Sequence, residues 1–290
     1  MSDYVIMTDS SCDLPAKLAE EMELTVLPLY VDVDGQKYTN YLDEREISFA
    51  EIYAKLRTKC PAKTSAVNVN DFTEPMENLL RAGSDVLYIG FSSGLSGTFN
   101  AGAMAARDLA EKYPERKIYA VDSLCASMGQ GLLIYLAWQQ KRQGKSIDEV
   151  RDYVEQNKLH LCHWFTIDDL MFLKRGGRIS GATAIVGSML SIKPVMHVDN
   201  DGHLIKVDTA RGRKASIKAL ADKAEQLGVD LSSQTVFISH GDCYDDAMYL
   251  ANLMRSRFQV KDVVISYVGP VIGAHSGPGT IALFFLGKER

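Results

Sequence analysis

Hydrophobic and polar positions follow two alternating rhythms along the chain. Short apolar runs rich in β-branched and aromatic residues, at 4–8, 24–33, 85–91, 117–121, 161–166, 235–239 and 262–268, predict strands, and apolar residues recur at helical spacing between them. Strands alternating with helices predict a parallel α/β sheet, because a parallel neighbour is reached only through a crossover, usually a helix. Helix starts are written locally. Ser48 with Glu51 and Ser146 with Glu149 have capping-box spacing, and Pro15 suits a first helical turn, where no amide is needed.

Beyond about residue 159 the pattern changes. Two strand-like runs, 193–199 and 203–208, flank Asn200-Asp201-Gly202, and Asp-Gly favours a turn with positive φ, so an antiparallel hairpin is predicted. With a boundary at the charged helix 147–158, the expected architecture is two-domain α/β. Residues 1–158 form an N-terminal parallel, Rossmann-like domain and residues 159–290 a C-terminal domain with a mixed sheet. No repeat or low-complexity linker interrupts the chain, so the two are expected to pack closely.

Composition narrows the function classes. With 290 residues, 46% hydrophobic and 24% charged, the chain is neither disordered nor fibrous, and a core of this size needs no structural metal or disulfide. A net charge of −5 and a pI near 5.7 offer no broad cationic field for nucleic acid. The five cysteines, Cys12, Cys60, Cys125, Cys162 and Cys243, lie far apart without a C-x-x-C pair, which fits a reducing compartment, with the cytoplasm as the expected location. The first residues lack the apolar run of a signal peptide, and the apolar stretch 268–287 is broken by Pro270, His275 and Pro278, so no membrane span is expected.

Five segments carry candidate chemistry. Thr8-Asp9-Ser10-Ser11-Cys12-Asp13 leads from a strand into a hydroxyl-rich loop, and Gly90-Phe91-Ser92-Ser93-Gly94-Leu95-Ser96-Gly97-Thr98 leads from a strand to a helix that runs to about Lys112. Helix N-terminal amides and small hydroxyl residues at strand ends suit a carboxylate or phosphate. Lys63-Thr64-Ser65-Ala66-Val67 lies in a non-helical stretch and reads as a loop with exposed hydroxyls. Two basic clusters, Lys174-Arg175-Gly176-Gly177-Arg178 and Arg211-Gly212-Arg213-Lys214, could each hold an anion or dock a partner, and the paired glycines let the backbone of the first come close. Finally, Gly273-Ala274-His275-Ser276-Gly277-Pro278-Gly279-Thr280 reads as a loop bearing a histidine that can donate, accept or shuttle a proton.

Several alternatives are weighed on the same residues. Gly90-x-Ser92-x-Gly94, with His275 downstream, matches a serine hydrolase elbow, but there the helix follows the serine at once, whereas here Ser93, Gly94 and Gly97 delay it to about Ser96. Gly144-Lys145-Ser146 lacks the first P-loop glycine, since position 139 is Gln139, and it follows a helical segment. His160 and His163 fall on opposite faces of a strand, which disfavours a metal site.

Taken in order, Thr-Asp-Ser-Ser-Cys-Asp-Leu-Pro at 8–15, Lys-Thr-Ser at 63–65, Ser-Ser-Gly-Leu-Ser-Gly-Thr at 92–98, Val-Asp-Ser at 121–123, Arg-Gly-Gly-Arg-Ile at 175–179 and Gly-Ala-His-Ser-Gly-Pro-Gly at 273–279 resemble the DegV family across essentially the whole chain. The resemblance implies two α/β domains enclosing a long-chain fatty acid, the carrier subunit of bacterial fatty acid kinase. It implies no cofactor and no catalytic residue. The implied partners are the ATP-binding kinase subunit and an acyltransferase, with transient membrane contact. Residue by residue, the carboxylate site falls on Thr64 and Ser96, with neighbours Ser65 and Ser93, on His275, and on Arg178 or Arg175; Arg175, Arg211 and Arg213 would meet the kinase. The family departure is Thr-Ser-Ala-Val at 64–67, where many relatives carry Thr-Ser-Gln-Pro. A chain of about 16 carbons gains ~0.8 kcal/mol per buried CH₂, which favours an enclosed tunnel. Candidate walls are Ile185, Val186, Met189, Leu190, Ile281, Phe284 and Phe285. The alternative function is a serine hydrolase using Ser92 and His275.

Overall fold

A computed structural model of the chain describes residues 3–179 and 192–290. Strands β1 (Tyr4–Asp9), β2 (Thr25–Leu27), β6 (Asp85–Gly90) and β7 (Ile118–Asp122) form a wholly parallel sheet in the order β2-β1-β6-β7. Strands β8 (Leu161–Thr166), β9 (Ile192–Val198), β10 (Leu204–Arg211), β11 (Thr235–His240), β12 (Asp262–Tyr267) and β13 (Ile281–Leu286) form a mixed sheet ordered β10-β9-β8-β13-β11-β12, in which only β11 and β12 run parallel. The expected hairpin is β9 and β10, with Gly202 at φ +78° in its turn.

A third sheet is absent from the sequence reading. The single strand expected over 24–33 is two: Pro28, which has no amide to donate, separates β2 from β3 (Leu29–Val33). Strand β3 pairs antiparallel with β4 (Gln36–Asn40) and β5 (Ala62–Ser65). The segment read as a loop at 63–67 therefore begins as a strand, with Thr64 opposite Val31.

Helices follow their local signals closely. Both predicted capping boxes form, at Ser48 for α2 (Phe49–Arg57) and at Ser146 for α6 (Ile147–Asn157). Pro15 stands just before α1 (Ala16–Glu21) rather than within its first turn. Helix α3 (Val69–Arg81) precedes β6, and α4 (Thr98–Lys112) starts two residues later than expected, after a seven-residue loop. Helix α5 (Met128–Arg142) lies between the parallel and mixed sheets and is buried from both sides. Its Leu132 and Leu133 share one apolar core with Ile6, Leu87 and Ile89 of the parallel sheet and Phe165, Phe237 and Phe284 of the mixed sheet. Gly129 keeps that contact close: a β-carbon would stand 3.0 Å from the Phe284 ring, which would then have to give way.

The outer face of the mixed sheet is covered by α8 (Arg213–Leu227) and α9 (Tyr244–Phe258), whose Ile217, Leu220, Leu250 and Met254 pack with Ile281, Leu283 and Phe285. Two short helices complete the description, α7 (Met171–Arg175) and α10 (Pro270–Ser276). Helix α10 crosses back to pack on α2, β3 and β5, and Tyr53 Oη donates to the Val268 carbonyl at 2.7 Å beside it. Elements from both halves of the chain thereby meet over one space.

Candidate functional site

That space is a cavity of about 300 Å³, at the lower end of the ~300–1,000 Å³ that ligand sites occupy. Its floor is a row across three strands: Ser239 of β11 pairs with Ala282 of β13, which pairs with Phe165 of β8, and all three side chains line the cavity. Phe91, Leu95, Leu173, Val271 and Ile272 supply further apolar wall. The lining is mainly apolar, with polar groups gathered in patches.

The first patch joins residues far apart in sequence. Thr64 reaches the cavity from β5 and His275 from the last turn of α10, and Thr64 Oγ1 lies 2.8 Å from His275 Nε2. His275 was expected on a loop. It stands on a helix because Pro270 fits the first turn, needing no amide, and Gly277 at φ +79° ends it. Burial, followed by the nearby Arg178 charge, pushes the His275 imidazole down to about 4. It is therefore neutral at pH 7. With Nε2 carrying the proton and donating to Thr64 Oγ1, the threonine hydroxyl hydrogen is free for a ligand oxygen.

Arg178 lies against the same space, in the turn after α7. The two glycines before it have separate tasks. A β-carbon on Gly176 would stand 2.3 Å from His275 Nδ1, and Gly177 adopts φ +72°. The Arg178 guanidinium donates to the Gly176 carbonyl, is lowered by burial alone, and has no carboxylate within ion-pair distance among the described residues. A half-buried cation without an acid partner, beside free hydroxyls, is suited to a carboxylate or phosphate from outside the chain.

The remaining expected site residues divide. Ser65 and Ser96 line the cavity, but Ser96 Oγ also caps the following helix, accepting from the Thr98 amide at 3.2 Å. Ser93 is not brought there: it is exposed, and its amide donates to Asp122. Arg175 stacks on Phe172 at 4.6 Å and borders a smaller neighbouring cavity. Arg211 is exposed at the end of β10, whereas Arg213 is held by Asp246 at 2.8 Å and Asp168 at 3.5 Å. Of the proposed walls, Ile185, Val186, Met189 and Leu190 lie outside the described residues. Ile281 and Phe285 face the opposite side of the sheet, against α8 and α9, since alternate strand residues point apart. Phe284 shares the inward face but is buried in the core, 4.5 Å from the His163 ring, without lining the cavity.

The strand-end segments depart from expectation in two ways. Ser11 of the first lines the cavity, but Asp9 does not face an incoming anion: fully buried, it accepts from the Ser11 amide at 3.0 Å and from Tyr88 Oη and the Phe91 amide at 3.2 Å, and burial raises its carboxyl. Nor is Ser92 a nucleophile. Its hydroxyl is buried and donates to the Gly202 carbonyl at 2.9 Å, away from the cavity, while His275 engages Thr64. The hydrolase alternative has no paired nucleophile and base here.

Among the cavity residues that sequence reasoning missed are three polar ones. His163 faces inward beside Phe165, and burial holds its imidazole well below the usual range. Ser127 and Ser239 also line the cavity. Alternation along β8 was the available signal for His163, because it places His163 and Phe165 on one face.

The family model described as an uncharacterised protein of the DegV family matches residues 3–288. A DegV domain-containing protein of Clostridium perfringens is 46% identical over 290 residues, covering 100% of this chain and 99% of its own. Among solved structures, a DegV family protein from Thermus thermophilus, described by its fatty acid binding, is similar with a TM-score of 0.86 and 29% identity, covering 99% of this chain and 100% of its own. DegV of Bacillus subtilis, described as a fatty acid binding protein, is similar with a TM-score of 0.85 and 26% identity over the same shares.

Proposed function

The chain belongs to the DegV family, and from that premise we propose that it holds a long-chain fatty acid in the cavity and presents the carboxylate to a separate kinase chain, which forms the acyl phosphate. The observation that carries the reading is the Thr64–His275 pair beside Arg178, on the wall of a mainly apolar space. Two structural relatives described as binding fatty acids support the ligand class.

Each part of the ligand meets a matching environment. Apolar walls take the chain, gaining ~0.8 kcal/mol for each CH₂ removed from water. The carboxylate would be costly to bury alone, and three kinds of group offset that cost: Arg178 supplies charge, Thr64 and Ser96 supply hydroxyls, and neutral His275 orients the Thr64 hydrogen. A carboxylate held in this way keeps its oxygens at the polar end, where an incoming phosphoryl group from the partner would meet them. Exposed Arg211 is the proposed docking contact on this chain.

Native mass spectrometry of the purified protein tests the ligand. A co-purified mass of a long-chain fatty acid, lost from a Thr64→Val, Arg178→Met double variant that still folds, is expected; a wild-type protein that neither retains nor takes up such acids would refute the reading. For the partner, Arg211→Glu should keep the lipid but slow acyl phosphate formation when ATP and a kinase chain are supplied. An unchanged rate would remove Arg211 from the docking surface.

A further inference from the structure

The cavity wall carries polar side chains beyond the Thr64–His275 pair. Ser127 immediately precedes α5 at φ 54°, ψ −142°, a backbone conformation that a residue with a β-carbon adopts only where its surroundings enforce it. Its Oγ lies 2.6 Å from Asp13 Oδ2 and 3.0 Å from Ser239 Oγ. A hydroxyl has a single hydrogen, so if Ser127 donates to Asp13, Ser239 must donate to Ser127, which leaves the Ser239 lone pairs open. Ser127 and Ser239 both line the cavity, and so does Ser276. Ser276 is 5% exposed, and its Oγ has no hydrogen-bond partner among the described residues.

These atoms are an unusual lining for a hydrocarbon. Buried polar side chains are nearly always hydrogen-bonded, and a CH₂ chain alone would leave Ser276 and the open side of Ser239 unmatched. The patch offers one donor, the Ser276 hydroxyl, and one acceptor, Ser239 Oγ. An alcohol oxygen, which both donates and accepts, answers both; a ketone or ether answers only one. Burial also raises the Asp13 carboxyl well above the usual carboxylate range, and no cation stands among these side chains. The patch is therefore unsuited to a second anion.

Resting on the fatty acid reading, we propose that Ser127, Ser239 and Ser276 form a station for a hydroxyl group carried partway along the acyl chain, so that the ligand class includes hydroxylated long-chain fatty acids. Asp13 positions Ser127 without touching the ligand. Site-built recognition of an OH discriminates sharply against the analogue that lacks it, because the partner groups are then left unpaired.

The test is a competition on the delipidated full chain, with stearic acid and a series of monohydroxystearic acids differing in the hydroxyl position, read by native mass spectrometry. One position should be held about tenfold over stearic acid, and that ratio should fall to near one in Ser239→Ala and in Ser276→Ala. If every hydroxylated isomer is held no better than stearic acid by the wild-type protein, the station is refuted and only water satisfies these groups, while the fatty acid reading stands. If Ser239→Ala loses stearic acid itself, the patch is a carboxylate site and the inference fails. If no acid of the series is held, the fatty acid reading and the inference fall together.

Discussion

Thr64, His275 and Arg178 on the cavity wall, and Ser127 and Ser239 with Asp13 bonded behind them, both combine hydroxyls with ionisable groups, yet burial acts on the two sets in opposite ways. In the first, burial strips the proton from His275 but cannot discharge Arg178, so the set keeps a net positive charge with no internal partner. In the second, burial raises the Asp13 carboxyl well above the usual carboxylate range, which shifts the set towards neutrality. Similar residue types thus make an anion site or an uncharged oxygen site, depending on whether the ionisable member can be neutralised. Arginine cannot be, and that single difference is why the proposed carboxylate is put on the Thr64 side.

Acid should expose the contrast most strongly. His275 is pushed from 6.5 down to about 4 in the folded state, so its contribution to stability is present above 6.5 and is lost as pH falls from 6.5 towards 4, by at most ~3 kcal/mol. Denaturant unfolding at a series of pH values should show the wild type losing more stability across this window than His275→Asn. Parallel curves would mean that His275 is already charged when folded.

Removing the charge comes next in size. Arg178→Met should weaken retention of a long-chain fatty acid about 30-fold, equivalent to ~2 kcal/mol for a hydrogen bond to a charged group. Fluorescent fatty acid displacement reads this directly, and unchanged affinity would place the carboxylate elsewhere. Thr64→Val, which keeps the shape but removes one neutral donor, should cost about fivefold in the same assay, ~1 kcal/mol. A larger loss for Thr64→Val than for Arg178→Met would reverse the assignment of charge as the dominant factor.

Much of this arrangement is legible in the sequence, and what is not has physical causes. The parallel strands, both capping boxes and the β9–β10 hairpin are short-range features, written in alternation, Ser-x-x-Glu spacing and Asp-Gly. The glycines at 176 and 177 signal close approach, and the structure uses one for proximity and the other for its positive φ. Strand β5 has no pattern of its own; Ala62–Ser65 becomes extended because β3 offers it a partner, a long-range fact. The face on which Ile281 sits is likewise undecidable until α8 and α9 are known to cover it. Other signals were present and unread: Pro28 divides β2 from β3, and Pro270 with Gly277 brackets α10. Ser127 is the hardest case, since nothing in composition foretells a serine at φ 54°.

The smallest expected effect tests the neutral side of the comparison. If Asp13 is protonated when folded, Asp13→Asn replaces one neutral group with another of nearly the same shape, and stability at pH 7 should change by no more than ~1 kcal/mol: relief from protonating the acid is offset by the less well-matched amide. The pH dependence is more telling than the magnitude. An acid whose folded pKa is raised holds its proton above 3.8, where the unfolded chain has released it, so the wild type loses stability as pH rises from there through the folded value. Asparagine does not titrate. The stability of the variant relative to the wild type should therefore climb as pH rises above 3.8, opposite in sense to the wild-type loss that His275 produces as pH falls. A variant that instead becomes steadily worse with rising pH would show that Asp13 is ionised when folded, and the patch it supports would then carry negative charge against any carboxylate brought to it.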